Sequence, residues 1–522
     1  MRSWLVLSAL LTGSFGAGAQ EAACSSNLTT LVAPDAESFE QLGAALDTDG
    51  ARLVVAQGNG AAVRVYVAVD GGDDWALEDV LTAPMLGTDF GADVAIAGDR
   101  LVVTAPTFSG TASFAGRAYL YEFSGAWQLV QVLESSDLEA GDLFGASCAF
   151  DGTSLLVGAS SEDGGGFGAG AVYSFIENGG TWNEEAKLIA SDSGFGARFG
   201  ASLDLDGDTF VVGAPGDSGF GFTSGGAYAY RRIGGVWADE ERLVPVIPRA
   251  FNLSGTSVAV RGDFAIIGAP GRDFARGGGD LFERVADDWV ALTPIGILPG
   301  IEGTRLGTSA AITDDYAVFG GPGDGASASG RLLLAGHDGS EWELIGPLEG
   351  STVTPTSGFG AAVLLHGDRV IVGAPDQTTP RGTSVGAVAV ERLGNQGRAY
   401  GSGSAGTGGF VPDLTSTGCI GIDDLLSFTV TEGLGGAFGF LLLARDEIAV
   451  PVAGIDLLVG GPLWIVRPHV LDGMGAGDGS IDVTFQWPTT PSSIRFVAQA
   501  VYADDAGTAG WSATQGRSFR LP

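Results

Sequence analysis

The chain of 522 residues carries 26 Lys and Arg against 62 Asp and Glu, a net charge of −36 and a pI near 4.1. A surface that acidic repels nucleic acid phosphates and anionic lipid, so neither nucleic acid nor an anionic membrane surface is an expected partner. Apolar residues make up 45%, enough for a sizeable core in two or three domains, and the 87 glycines, well above the usual ~7%, are scattered among alternating apolar residues as tight turns between short strands require.

The N-terminus reads MRSWLVLSALLTGSFGAGAQ. Arg2 gives a positive start, Trp4 to Leu11 a short apolar stretch, and Ala17-Gly18-Ala19 a small-residue cleavage site before Gln20. Residues 1–19 are therefore expected to be a secretory signal peptide, too short to span a membrane. The mature protein is expected outside the cell or at its surface, with no transmembrane segment. Cys24 raises a lipoprotein anchor as the alternative, although Glu21-Ala22-Ala23 puts an acid where an aliphatic residue is expected. Cys24, Cys148 and Cys419 are an odd set, so at least one is unpaired, and their spacing fits no zinc site. Whether Cys24 pairs with Cys419 stays open at this point.

From residue 42 onward one segment recurs. FGASLDLDGDTFVVGAP begins at Phe199, and related segments begin at Leu42, Phe90, Phe144, Ser254, Leu306 and Phe359, 48 to 55 residues apart. Within one unit, Leu203 and Leu205 alternate with Asp204 and Asp206, which predicts a half-buried strand. Gly207-Asp208 is a two-residue turn, TFVVGAP a second strand ended by Pro215, GGAYAYRR a third, and the segment from Trp237 a fourth. Trp75, Trp127, Trp182, Trp237, Trp289 and Trp342 all open fourth strands, where they are expected to cover each unit's outer edge. Four strands per ~50 residues, repeated seven times, predict a seven-bladed β-propeller over residues 20–393. The seventh unit stops at Leu393 without its Trp or fourth strand. Leu31 precedes Leu42 by the same eleven residues that separate Leu188 from Phe199, so residues 28–33 are expected to close the last blade.

These copies resemble the FG-GAP repeat family, best known from the propellers of integrin α chains. The resemblance implies the propeller and leaves function open. Calcium-binding members carry a longer acidic loop, broadly DxDxDG, between the first two strands, because calcium needs six to eight oxygens around one point. Here that loop is replaced by the two-residue turn, and turn chemistry accounts for Asp99, Asp208, Asp263, Asp315 and Asp368. Asp204, Asp206 and Asp208 are the weak candidates for a partial calcium site; otherwise no cofactor is expected. The loops after the GAP triplets supply binding candidates instead: Asp163, Asp217, Arg272, Asp273, Asp324 and Asp376.

No catalytic set stands out. His337, His366 and His469 lie apart, GTSVG at 382–386 lacks the strand-to-helix turn of a nucleophile elbow, and GSGSAG at 401–406 lacks a strand–helix context. The acid pairs Glu184-Glu185 and Glu240-Glu241 are expected to face solvent on fourth strands.

Residues 394–411 read as a Gly/Ser-rich linker, and 412–522 as a C-terminal β-sandwich of alternating strands. YGSGSAGTGGFVP at 400–412 and FVAQAVYADDAGTAGWSAT at 496–514 resemble a small C-terminal β-domain of secreted bacterial proteins, especially from planctomycetes. That resemblance implies a Cys where Ser404 stands, surface retention or sorting as a role, and a bacterial source. The expected function is a secreted or surface adhesion-type scaffold, non-enzymatic and monomeric, whose loops take a protein or glycan. The alternatives are a polysaccharide hydrolase or lyase with its site at the ring's funnel, and a structural envelope component.

Overall fold

The computed structural model describes residues 29–520 apart from 33–36, 70–73, 86, 193, 296–302, 324–329, 338–341, 349–356, 368, 394–397, 401–412, 418–424, 435–436, 453–454, 472–475, 487–494, 509–510 and 515. Cys24, Cys419 and the signal-peptide segment lie outside them, and Cys148 is a buried free thiol. Two compact units result, one over residues 27–393 and one that includes 394–522.

The first unit is seven four-stranded antiparallel sheets. Blade 4 shows the local logic: Ser202–Asp206, Thr209–Ala214, Gly226–Ile233 and Val236–Leu243 follow in sequence and in space. The two-residue turn holds Asp206 opposite Thr209 and carries the register back to Ser202 opposite Gly213. First strands touch first strands from blade to blade, and the first strand of blade 7 touches that of blade 1, so the ring is closed around an axis lined by those strands. Blade 7 holds Val363–His366, Arg369–Ala374 and Ala387–Arg392, and its outer strand is Thr29–Leu31. Thr29 faces Val390, Thr30 faces Ala389 and Leu31 faces Val388, which bears out the expected closure.

The repeated residues explain the stacking. Phe90, Phe144 and Phe199 are buried, and each meets Tyr119, Tyr173 or Tyr228 of its own third strand edge-on, with ring centroids 5.6 Å apart in all three. Burial of each Phe contributes about 1.5–3 kcal/mol. The following glycine touches the neighbouring blade. Gly255 has φ +84°, and a Cβ there would lie 2.1 Å from the Gly226 carbonyl oxygen. A Cβ on Gly213 of the GAP triplet would lie 2.0 Å from the Gly255 carbonyl. Glycine against glycine is thus the contact that lets two blades approach.

Polar staples cross the same seams. The hydroxyls of Ser147, Ser202, Ser257 and Ser309 donate to the carbonyls of Gly200, Gly255, Gly307 and Gly360 of the next blade at 2.9–3.0 Å. The tryptophans differ from expectation. Trp127, Trp182 and Trp237 are buried against the preceding blade rather than capping a free edge. Trp127 Nε1 donates to Glu78 and Trp237 Nε1 to Ser174. The glutamates expected in solvent also bridge blades: Glu184 accepts from Ser136, Glu185 pairs with Arg232, Glu240 accepts from Ser191, and Glu241 accepts from the Trp289 amide. A fourth strand inside a closed ring has a neighbouring blade beside it, and these side chains reach that neighbour.

The second unit holds two antiparallel sheets, of six and three strands. Arg398–Tyr400, within the segment expected as linker, is a strand paired with residues 516–518. The chain's last strand supplies a partner there, which a local reading of glycine content misses.

Candidate functional site

The turns between first and second strands, of two residues in blades 2, 4 and 5 and longer than expected in blades 1, 3 and 6, lie at the opposite end of the blades from the loops after the GAP triplets. The long loops share their end with the connections between blades, since first and second strands are antiparallel. Five of the long loops are tied shut in the same way. The carbonyls of Phe108, Glu162, Asp217, Arg272 and Gln377 accept the amides of Gly116, Gly170, Gly225, Gly277 and Gly386, just before the third strand. Each is also tied to the connection that enters the next blade, as where Gly196 donates to Phe167, Phe251 to Phe222, Arg305 to Ala275 and Phe39 to Thr383.

This loop face displays phenylalanine. Phe39, Phe114, Phe167, Phe195, Phe220, Phe222, Phe251 and Phe274 are exposed, from 42% at Phe220 to 85% at Phe274, and all belong to these loops. Phe167 stacks on Phe195 at 5.7 Å and 22°, and Phe222 meets Phe251 at 5.6 Å and 61°. Each pair joins a long loop to the connection beside it. The backbone beneath is unusual: Asp273, Phe274 and Ala275 have φ of 50°, 61° and 62° in succession, and Phe39, Phe114 and Phe251 are also left-handed. Apolar rings held out on such backbone are not there for core packing.

A second ring of left-handed residues stands immediately before each repeat. Gln41, Asp89, Leu143, Arg198, Leu253, Arg305 and Gly358 have φ of 50–71°. The carbonyl of all but Gln41 accepts the amide three residues on, at 2.9–3.2 Å, which makes the turn into the innermost strand. Six of these seven residues carry a side chain where glycine would be easier, at the end of the axis on the loop face.

The expected binding residues divide by burial. Asp217 and Arg272 occupy the same loop-closing position and both are buried. Asp217 pairs with Arg242 at 2.7 Å and accepts from Tyr228, while Arg272 pairs with buried Asp280. These two brace loops from within. Asp163 is exposed and accepts from the Gly168 amide; Asp376 is exposed and accepts from Gln41; Asp273 pairs with Arg276 at 2.8 Å. Asp324 lies outside the described residues. Of the calcium candidates, Asp204 accepts from the Val260 amide and Asp206 from the Gly262 amide of the next blade, both at 2.7 Å, while Asp208 is exposed in its turn. Among the described residues, no three His, Cys, Asp or Glu are grouped to hold a metal ion. Ser384 lies in a loop that leads into the strand Ala387–Arg392, and His337 packs between Phe264 and Trp342.

The axis holds an acidic cluster. Asp47 and Asp204 project from first strands and Asp93 stands just before one, and each bridges to a backbone amide of the next blade: Ile96, Cys148 and Val260, at 2.7–2.8 Å. They are half-buried. Burial pushes Asp47 up to about 7 and Asp93 and Asp204 up to about 6, although the amides pull the other way. Asp93 and Asp204 raise Asp47 further, and Asp204 raises Asp93, so the three charges feel one another around the axis. The exposed phenylalanines and Asp47 and Asp93 were missed by sequence reasoning. Isolated Phe in GFGF, GFGAG and PRAF was the available signal for the rings; the axis had none.

One small cleft, between blades 4 and 5, is lined by Thr209, Arg231, Glu241, Arg284, Asp287 and Trp289. Its charged groups are already engaged, as in Arg231 with Asp287 and Arg284 with Thr209. No helix among the described residues is long and apolar enough to cross a membrane.

Comparison with known proteins bears on the repeat. The family model described as "FG-GAP repeat" matches residues 127–175 and 182–230. No curated protein matches the chain. Two solved structures are similar at low identity. One is a crystal structure of a protein from Lactobacillus plantarum, at 14% identity over 58% of this chain and 84% of that one, with a TM-score of 0.39. The other is Saccharomyces cerevisiae Sqt1, at 10% identity over 96% and 100%, with a TM-score of 0.38. With the repeat matched in sequence and its four-stranded unit built seven times around one closed ring, residues 27–393 are a seven-bladed β-propeller that carries FG-GAP repeats.

Proposed function

We propose that this protein is an extracellular binding scaffold, whose loop face docks a protein or glycan while the blades hold that face rigid. The carrying observation is the set of eight exposed phenylalanines, all on one end of the ring, on loops tied by backbone hydrogen bonds. Rigid apolar anchors bind at low entropic cost, since little ordering is left to do. The signal-like N-terminus and the repeat type support a location outside the cell. A hydrolytic reading would draw on Asp47, Asp93 and Asp204, but each bridges to a backbone amide of the next blade, a structural use, and the exposed rings are what favour docking.

The test uses the full chain on arrays of glycans and extracellular proteins. Replacement of Phe167, Phe222, Phe251 and Phe274 by Ser is expected to abolish capture and leave the melting transition in place. Control changes at the turn end, Val285→Ser and His366→Ser, are expected to leave capture intact. Capture that survives the loop changes, or is lost with the controls, overturns the proposal.

A further inference from the structure

In a chain with more than two acids per base, most of the described arginines hold an acid. Arg52 holds Glu78, Arg100 holds Glu177, Arg242 holds Asp192 and Asp217, and Arg284 holds Asp263. Arg198, Arg249 and Arg305 do not: they are exposed and have no ion pair among the described residues. All three lie on the loop face, one in each connection that enters blades 4, 5 and 6. The acids of the same arc are largely consumed, Asp192 and Asp217 by Arg242 and Asp273 by Arg276; Asp163, at its margin, accepts from Gly168. Phe195, Phe222, Phe251 and Phe274 stand among these arginines.

We infer that this arc binds a carboxylated polysaccharide, with the arginines taking sugar carboxylates and the phenylalanines the apolar faces of the rings. Arginine matches a carboxylate with two parallel N–H donors, and an aromatic ring beside it packs against C–H surface. One cation per blade along an arc suits a polymer that repeats its acid at intervals. The chain's overall negative charge opposes such a ligand at long range, but charges more than about 8 Å away are screened at physiological salt, so the local arginines decide. The inference rests on the loop face being the docking surface.

The experiment is affinity electrophoresis of the full chain through gels that contain polygalacturonate, its fully methyl-esterified form, or poly-glutamate. Polygalacturonate is expected to retard the protein, and esterification to weaken retardation about tenfold. The triple variant Arg198→Ser, Arg249→Ser, Arg305→Ser is expected to lose about tenfold or more with its melting transition unchanged. Three results overturn the inference: no retardation by polygalacturonate, equal retardation of the triple variant, or tighter binding of poly-glutamate, which would point to an acidic polypeptide. A wild-type chain that ignores polygalacturonate, yet loses array capture when its loop phenylalanines are replaced, keeps the docking face and removes only the carboxylate.

Discussion

Two positions, two residues apart, show how differently this chain uses left-handed backbone. Gly255 is glycine because, at φ +84°, the preceding blade leaves no room for a Cβ, which would lie 2.1 Å from the Gly226 carbonyl oxygen. Leu253 is left-handed at φ 55° with its side chain exposed, so no packing demands it. Gly255→Ala is therefore expected to cost about 3 kcal/mol or more, since both φ and contact are violated. Leu253→Gly removes about 1 kcal/mol of backbone strain and adds about 0.5–1 kcal/mol of freedom to the unfolded chain, so stability should stay within about 0.5 kcal/mol of wild type. Urea unfolding of the two full-length variants checks both. A Leu253→Gly variant as damaged as Gly255→Ala would mean that the ring of left-handed side chains serves the fold rather than display.

At the scale of the element, blades 3 and 4 repeat one polar arrangement. Tyr173 and Lys187 hold Asp137, and Lys187 also holds Glu162. Tyr228 and Arg242 hold Asp192, and Arg242 also holds Asp217. The base ends a fourth strand, one acid comes from the connection before the blade, and the other closes the long loop. Arg242→Met is expected to cost about 3 kcal/mol by leaving Asp217 buried beside no cation, whereas Asp192→Asn, at an exposed partner, should cost about 1 kcal/mol or less. Calorimetry of the two variants checks the order, and equal losses would show that burial at Asp217 does not matter. Strands and turns of these blades were legible in sequence because they depend on local alternation, on Gly207-Asp208, and on the fixed distance from Phe199 to Gly213. The inward turn of Asp217 was not legible. Asp163 lies one place beyond the position of Asp217 in the repeat, a position that Glu162 fills in blade 3, and only the folded loop shows that this position closes the loop and meets the base.

For the whole molecule, closure was readable, since the spacing from Leu31 to Leu42 copies that from Leu188 to Phe199. The axis was not, because Asp47, Asp93 and Asp204 are distant in sequence and become neighbours only when a ring forms. That neighbourhood sets how stability responds to pH. Folding lifts the three carboxyls from an ordinary value of 3.8 to about 6–7, by burial first and mutual repulsion after. Buried Glu391, on the blade that takes the N-terminal strand, is lifted to about 7 by burial alone. Between about pH 7 and pH 4 the folded ring thus holds protons that the unfolded chain releases, so stability from these groups rises as pH falls through that window. Asp137 and Asp192 work the other way. Burial opposes their ionisation, but Lys187 and Tyr173 hydrogen bonds outweigh it at the first, and Tyr228 and Arg242 at the second. Both are held below the ordinary carboxylate value, and their contribution is lost as pH falls below about 4. Unfolding free energy is therefore expected to climb from pH 8 to a maximum near pH 4–5 and then drop. Water reaches the half-buried carboxyls, so the climb is on the order of 1–3 kcal/mol rather than the full sum of the shifts. The triple variant Asp47→Asn, Asp93→Asn, Asp204→Asn keeps an acceptor for each amide and removes the titration. Its stability between pH 8 and pH 5 should be flatter, keeping only the parts due to Glu391, Asp142 and Asp280, which burial also raises, and a slope equal to that of wild type would locate the pH response away from the axis.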